Sequence, residues 1–229
     1  MTSRRDFQSA RTLDENLAQH IGDALRRDID ARGNAALAVS GGSTPKGLFA
    51  QLSQQQLDWS RVTVTLVDER WVNNDSTDSN EKLVRDHLLQ HHAAAALWIG
   101  LKTEHSDAKQ GLPAVQLRLA QDLPWPLTIV VLGMGGDGHT ASWFPRAQNL
   151  TSLIDPDNPE QVATTDPVTA PHQRITLTLS AVLNSHEIIL HIVGSEKREV
   201  FESATKAAYP VAAILNQTTT PVTTWWAPE

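Results

Sequence analysis

The 229-residue chain reads as an α/β protein with an open, mainly parallel sheet carrying helices on both faces. Two observations predict this. Apolar runs rich in β-branched residues alternate with helix-length segments, the pattern of a parallel sheet covered on both sides. Three of those runs also lead directly into unusual glycine-rich or charged motifs, and in such sheets ligands bind beyond the carboxyl ends of the strands. An apolar content of 40% supports a substantial core.

In chain order, a helix is expected over 11–31, followed by the strand ALAVS at 36–40. SGGSTP then opens a helix over 44–56, with Ser43 or Thr44 as N-cap and Pro45 at the first helical position. The run VTVTLVDE (62–69) is continuous enough for a central strand and precedes helices at 79–91 and 106–122. LTIVVLG (127–133) is the third strand. PDNPEQVATTDPVTAP (156–171) is a long proline-rich loop within one domain spanning 1–229, because strands of similar character flank it. RITLTLS (174–180) and EIILHIV (187–193) follow, then a helix over 195–207 capped by Ser195, and finally VTTWWA (222–227), where Trp225 and Trp226 read as packing residues.

Composition narrows the function classes. Nineteen Lys and Arg stand against 26 Asp and Glu, a net charge of −7, which argues against nucleic acid or an anionic membrane as partner. An anionic ligand would need a local basic pocket. Cysteine is absent, so disulfides, thiolate metal sites and cysteine nucleophiles are excluded, in keeping with a reducing compartment. The opening MTSRRDFQSARTLDEN has no apolar signal region, and no run approaches the ~18 apolar residues of a membrane span, so a cytoplasmic location is expected.

The densest motif is Gly133-Met-Gly-Gly-Asp-Gly138, which matches G-x-G-x-x-G after a strand. A dinucleotide site needs a continuing helix and a later acid at a strand end, whereas Pro145 interrupts here and Asp155 and Asp157 fall in a proline-broken loop. Two readings stay open: a tight turn with an incidental histidine, or glycines that let backbone N–H groups approach a ligand while aiming His139, with Asp137 two residues earlier, as a general base. SGGSTP is either an ordinary helix start or, through Gly41 and Gly42, a phosphate cradle; the P-loop spacing is missing. Asp68-Glu69-Arg70 is either a solvated cluster or the cleft end of a buried strand. His87 and His91 have metal-pair spacing without a third ligand, so no metal is expected. His186 and His191 are five apart and should face opposite sides of their strand. No G-x-S-x-G serine elbow occurs.

Taken together, VSGGSTP (39–45), VDERWV (67–72) followed by DSN (78–80), GMGGDGHTASWFP (133–145), RITLTLSAVLNS (174–185) and GSEK (194–197) resemble the 6-phosphogluconolactonases, part of a larger group that includes the glucosamine-6-phosphate deaminases. The resemblance implies a NagB/RpiA-like, Rossmann-type fold and cofactor-free hydrolysis of a sugar-phosphate lactone in the pentose phosphate pathway. It further implies His139 as general base, Asp137 orienting it, and Arg70 with the Gly135 and Gly136 amides stabilising the oxyanion or anchoring hydroxyls. Arg174, Lys197, Ser43 and Thr44 would hold the phosphate far from the reacting carbonyl, with Gly41, Gly42 and Asp68 also contacting substrate. A monomer or small homo-oligomer is expected. The deaminases carry a glutamate five residues after the histidine, where this chain has Phe144, and read D-E-Y where this chain has Asp68-Glu69-Arg70. Sugar-phosphate sensor domains bind without turnover, but they usually follow a helix-turn-helix, and a first strand near residue 36 begins too early for one.

Overall fold

The computed structural model describes residues 2–229. The elements run β1 (Thr2–Asp6), α1 (Ala10–Arg32), β2 (Ala35–Val39), α2 (Lys46–Leu52), β3 (Val62–Leu66), β4 (Asp68–Arg70), α3 (Asn80–His87), β5 (Leu97–Ile99) and α4 (Ala108–Asp122). They continue with β6 (Leu127–Leu132), α5 (Leu150–Leu153), β7 (Val162–Thr165), β8 (Arg174–Leu177), α6 (Leu179–Leu183), β9 (Ser185–Val193), α7 (Ser195–Ser203), α8 (Ala212–Asn216) and β10 (Val222–Ala227).

Seven strands form one parallel sheet in the order β1-β10-β9-β6-β2-β3-β5. Every residue of β2, β3 and β6 is buried, the consequence of apolar, β-branched sequences covered on both faces. Helix α1 covers one face with Leu13, Leu17, Ile21 and Leu25, spaced at helical period and fully buried. It is bounded by Ser9, whose side chain accepts the Thr12 amide, and by Gly33 in the left-handed conformation at φ 82°. After β2 the chain builds β3 and β5 to one side and then returns to place β6 on the other. The order therefore reverses between β2 and β6, and the crevice beyond their carboxyl ends is where such a sheet takes a ligand.

The α/β architecture agrees with the sequence reading; several elements differ. The run 62–69 divides at Val67, so that β4 leaves the main sheet and pairs antiparallel with β8, which pairs with β7. The run 174–180 likewise divides into β8 and the start of α6, where Thr178 accepts the Ala181 amide. Strand composition does not reveal which sheet a strand joins, and β7 lies inside the proline-rich stretch read as loop. β1, TSRRD, gives no apolar signal because it is an exposed edge, paired along its length with β10. The first strand thus begins at Thr2 and not near residue 36.

Helix ends were also misplaced. Pro45, without a side-chain cap, precedes α2, and Gly194 at φ 99° precedes α7, whose first helical residue is Ser195. Helix α3 stops at His87, and His91 begins a separate 3-10 turn, so the two histidines share no helix face. Among the described residues, no helix is long and apolar enough to cross a membrane.

The junction between the sheets is fixed by Glu69. Its carboxylate accepts the amides of Arg70 at 2.7 Å, Asn80 at 2.8 Å and Glu81 at 2.7 Å, together with the Ser79 hydroxyl at 3.1 Å, at the N-terminus of α3. Burial pushes this carboxyl above its ordinary value of 4.5; the three amides pull it back and the Asp68 charge adds to the rise. A folded-state value above the unfolded one keeps the proton on the native state to higher pH, so stability falls as pH rises from 4.5 through the raised value. Glu69→Gln cannot ionise and offers one acceptor oxygen in place of two. It should flatten that slope and cost about 1–3 kcal/mol through unpaired buried donors. Thermal melts across pH compare the two proteins; equal stability and parallel slopes would show that the carboxylate is not the tie.

Candidate active site

Beyond the carboxyl ends of β2 and β6 lies a cleft of about 250 Å³. From β2 it receives Ser40, Gly41, Gly42, Ser43 and Thr44; from β4, Asp68 and Arg70; from the start of α3, Asn80; from the loop after β6, Gly133, Gly135 and His139; and from β9 and α7, His191 and Lys197. The three motifs singled out by their strand ends do converge.

His139 is held by its own loop. The Gly135 amide donates to the His139 carbonyl at 2.8 Å, the Gly138 amide to the Gly135 carbonyl at 3.1 Å, and the Thr140 hydroxyl to the Gly133 carbonyl at 2.8 Å. Two glycines are obligatory here. A Cβ on Gly135 would sit 2.2 Å from the imidazole, and Gly138 adopts φ 76° with a Cβ position 2.4 Å from Tyr209. The Gly135 amide is therefore engaged in closing the turn and is not the free oxyanion donor that the sequence suggested. The Gly136 amide makes no hydrogen bond among the described residues.

Within the turn, Asp137 Oδ1 lies 2.5 Å from His139 Nδ1 and also accepts the His139 amide at 3.2 Å. Burial raises the Asp137 carboxyl, but the charge of His139, its two hydrogen bonds and Asp137's own amide outweigh it and hold the group below its ordinary 3.8. With Nδ1 engaged, Nε2 is the ring nitrogen left without a partner among the described residues. Phe144 packs on the imidazole with centroids 4.3 Å apart.

On the other wall, Asp68 Oδ2 accepts the Ser142 hydroxyl at 2.6 Å and its carbonyl accepts Asn80 Nδ2 at 2.9 Å. Arg70 donates from Nη1 to the Asp78 carbonyl at 2.7 Å. The amides of Gly41, Gly42, Ser43 and Thr44, residues that line the cleft, make no hydrogen bond among the described residues and form a run of open donors.

Because β8 belongs to the small antiparallel sheet, Arg174 stands opposite Arg70 in the ladder, with its guanidinium 5.8 Å from the Phe144 ring. It is not among the cleft-lining residues, and its buried Nε and Nη1 make no hydrogen bond among the described residues. Lys197 lies near Gly136, its Nζ 4.0 Å from where a Cβ would stand. Asp137 and Gly136 support the cleft from just outside its lining.

Asn80 and His191 were passed over as site residues. Asn80 sat in a quoted motif with no role, and its buried Oδ1 has no hydrogen-bond partner. His191 looked like one of two unremarkable strand histidines. In fact His186 and His191 both reach carboxylates of α1, Asp28 and Asp14, each at 3.3 Å, although their odd spacing suggested opposite faces. His186 is half exposed at the open start of β9, whereas His191 is buried at the cleft floor. Among the described residues no three His, Asp or Glu side chains are grouped to hold a metal.

Residues 8–226 match the family model described as glucosamine-6-phosphate isomerases/6-phosphogluconolactonase. A 6-phosphogluconolactonase of Rhizobium meliloti (strain 1021) is 42% identical over 226 residues, 97% of each chain. The crystal structure of a 6-phosphogluconolactonase from Shewanella baltica OS155 superposes with a TM-score of 0.95 at 45% identity, covering 99% of this chain and 98% of the other. A monomeric glucosamine-6-phosphate deaminase of the NagB superfamily matches at TM-score 0.72 and 19% identity, covering 98% and 97%, a likeness of fold alone.

If the Gly135 contact sets the imidazole's position, Gly135→Ala should leave the fold intact and displace His139. A misplacement on the order of 1 Å costs about 10²-fold in rate. Turnover measured beside a thermal melt checks this; undiminished turnover in the folded variant would mean that the contact does not position the ring.

Proposed function

The chain belongs to the glucosamine-6-phosphate isomerase/6-phosphogluconolactonase family, and from that premise we propose that it hydrolyses 6-phospho-D-glucono-1,5-lactone to 6-phosphogluconate, the lactone-opening step of the oxidative pentose phosphate pathway. The observation that carries the reading is the Asp137–His139 contact, which fixes the imidazole with Nε2 free beside the cleft. In the proposed reaction Nε2 takes a proton from water as its oxygen bonds to C1. The carbonyl becomes an oxyanion, stabilised by Arg70 and the Gly136 amide. As the C1–ring oxygen bond breaks, the imidazolium returns the proton to the departing oxygen, giving the open-chain acid. Asp137 accepts a hydrogen bond from Nδ1–H throughout and stabilises the transient charge.

Lys197 and the open amides of Gly41 to Thr44 supply the local positive potential that a chain of net charge −7 needs to hold a phosphate. Asp68 and Asn80 offer acceptors to the sugar hydroxyls. Amino-sugar deamination has less support, because Phe144 occupies the place of the extra acid and its ring lies against His139.

His139→Asn should fold normally and lose about 10²–10⁴ of its turnover once spontaneous lactone hydrolysis is subtracted; near wild-type kcat would remove the histidine from the mechanism. Lys197→Ala should lower kcat/KM for the phosphorylated lactone by about one to two decades, and for neutral gluconolactone by much less. Arg174→Ala decides the role of the second cation: the same selective loss would place it at the phosphate, and an equal loss on both lactones would make it a support behind Phe144. Equal losses on the two lactones for Lys197→Ala would show that the phosphate is held elsewhere.

A further inference from the structure

His191 is 2% exposed on β9 and yet lines the cleft. Its Nε2 lies 3.3 Å from Asp14 Oδ1 on α1, and neither of these buried atoms completes a hydrogen bond. The other ring nitrogen, Nδ1, also has no partner among the described residues. Buried imidazole and carboxylate groups ordinarily have their hydrogen bonds made, because an unmade one costs about 1–3 kcal/mol. On β10, Trp225 stands opposite His191 with its own Nε1 buried and unpartnered, a donor that cannot accept the imidazole's N–H, and on β9 itself Glu187 is held by His20 at 2.8 Å. The charged groups that share the cleft are Lys197 from α7, Asp68 and Arg70 from β4, and His139 across it.

We propose that His191 is a phosphate-binding residue of this cleft, donating from Nδ1 to the sugar phosphate while Nε2–H faces Asp14, so that ligand binding draws a proton from solvent onto the ring. The chemistry follows from the pairing. A neutral imidazole has one N–H, and facing Asp14 with it leaves Nδ1 an acceptor that would repel a phosphate oxygen. With both nitrogens protonated, the ring bridges the Asp14 carboxylate and the phosphate, and each anion favours the charged ring. The inference rests on the sugar-phosphate reading above and names one more residue of that site.

Calorimetric titration of 6-phosphogluconate into the full chain, in two buffers of different ionisation enthalpy, reads affinity and proton uptake together; gluconate serves as the ligand without phosphate. His191→Gln should bind 6-phosphogluconate about tenfold to a hundredfold more weakly and take up fewer protons than the wild type. Asp14→Asn, which keeps the ring and removes its counter-charge, should also lower the uptake. Should His191→Gln fail to fold, the Asp14→Asn/His191→Gln pair removes both groups together and carries the same comparison. Affinity within about twofold of wild type and unchanged proton uptake would overturn the role of His191, while a wild type that still prefers 6-phosphogluconate to gluconate would keep the phosphate reading. A wild type that binds the two ligands equally would overturn both.

Discussion

The Glu69 carboxylate sits at the point where the chain leaves one sheet for another, with the amides of Arg70, Asn80 and Glu81 and the Ser79 hydroxyl on its two oxygens. Isolated, such a buried anion would be expelled or neutralised; here the donors are the otherwise unpaired N–H groups of a helix start, which favour negative charge. One side chain thereby sets the direction of α3, the turn of β4 out of the parallel sheet and the placement of Asn80. Asp68 and Arg70, either side of Glu69, are delivered to the cleft as a result. Ser142, bonded to Asp68, ties this wall to the loop that carries His139.

The opposite wall rests on the reversal of strand order between β2 and β6. Two strands buried along their whole length end side by side, and the chain beyond each turns away from its neighbour, so backbone groups there lack ladder partners. After β2 the consequence is a run of open amides from Gly41 to Thr44. After β6 the free groups are largely absorbed by the turn itself, which orients an imidazole instead. The same topology thus leaves open donors suited to an anion at one strand end and an imidazole fixed by its own turn at the next. Local donors of this kind explain how an acidic protein can present a site suited to an anion.

Much of this was legible from the sequence, and the failures share a cause. Glycine spacing around His139, the charged run that forms β4 and the glycine pair after β2 stand out locally, so these motifs were found. The sheet that Arg174 joins was misread because RITLTLS has the composition of any strand, and nothing local says that it pairs with Asp68–Arg70 across more than a hundred residues of chain. β1 was invisible because an exposed edge has no apolar pattern to show. His191 was missed for a subtler reason: its significance lies in Asp14, a helix residue 177 positions earlier, and in a cleft that only the assembled sheet encloses.

Two histidine–carboxylate pairs therefore face one cleft with different geometry, and the difference bears on what each can do. Asp137 and His139 are two residues apart on one turn, at 2.5 Å, so their contact is set locally and persists whatever occupies the site. Asp14 and His191 belong to a helix and a strand whose separation is fixed by packing, and at 3.3 Å their hydrogen bond stays unmade. A group already locked in its best contact is suited to the reacting centre, where reorganisation would add to the barrier. A pair left short of contact is suited to binding, because an incoming anion can complete what packing left open. Phe144 strengthens the division: tilted against His139, it gives that ring an apolar neighbour where the deaminase pattern has a glutamate. In the proposed hydrolysis one base beside a bound phosphate is sufficient.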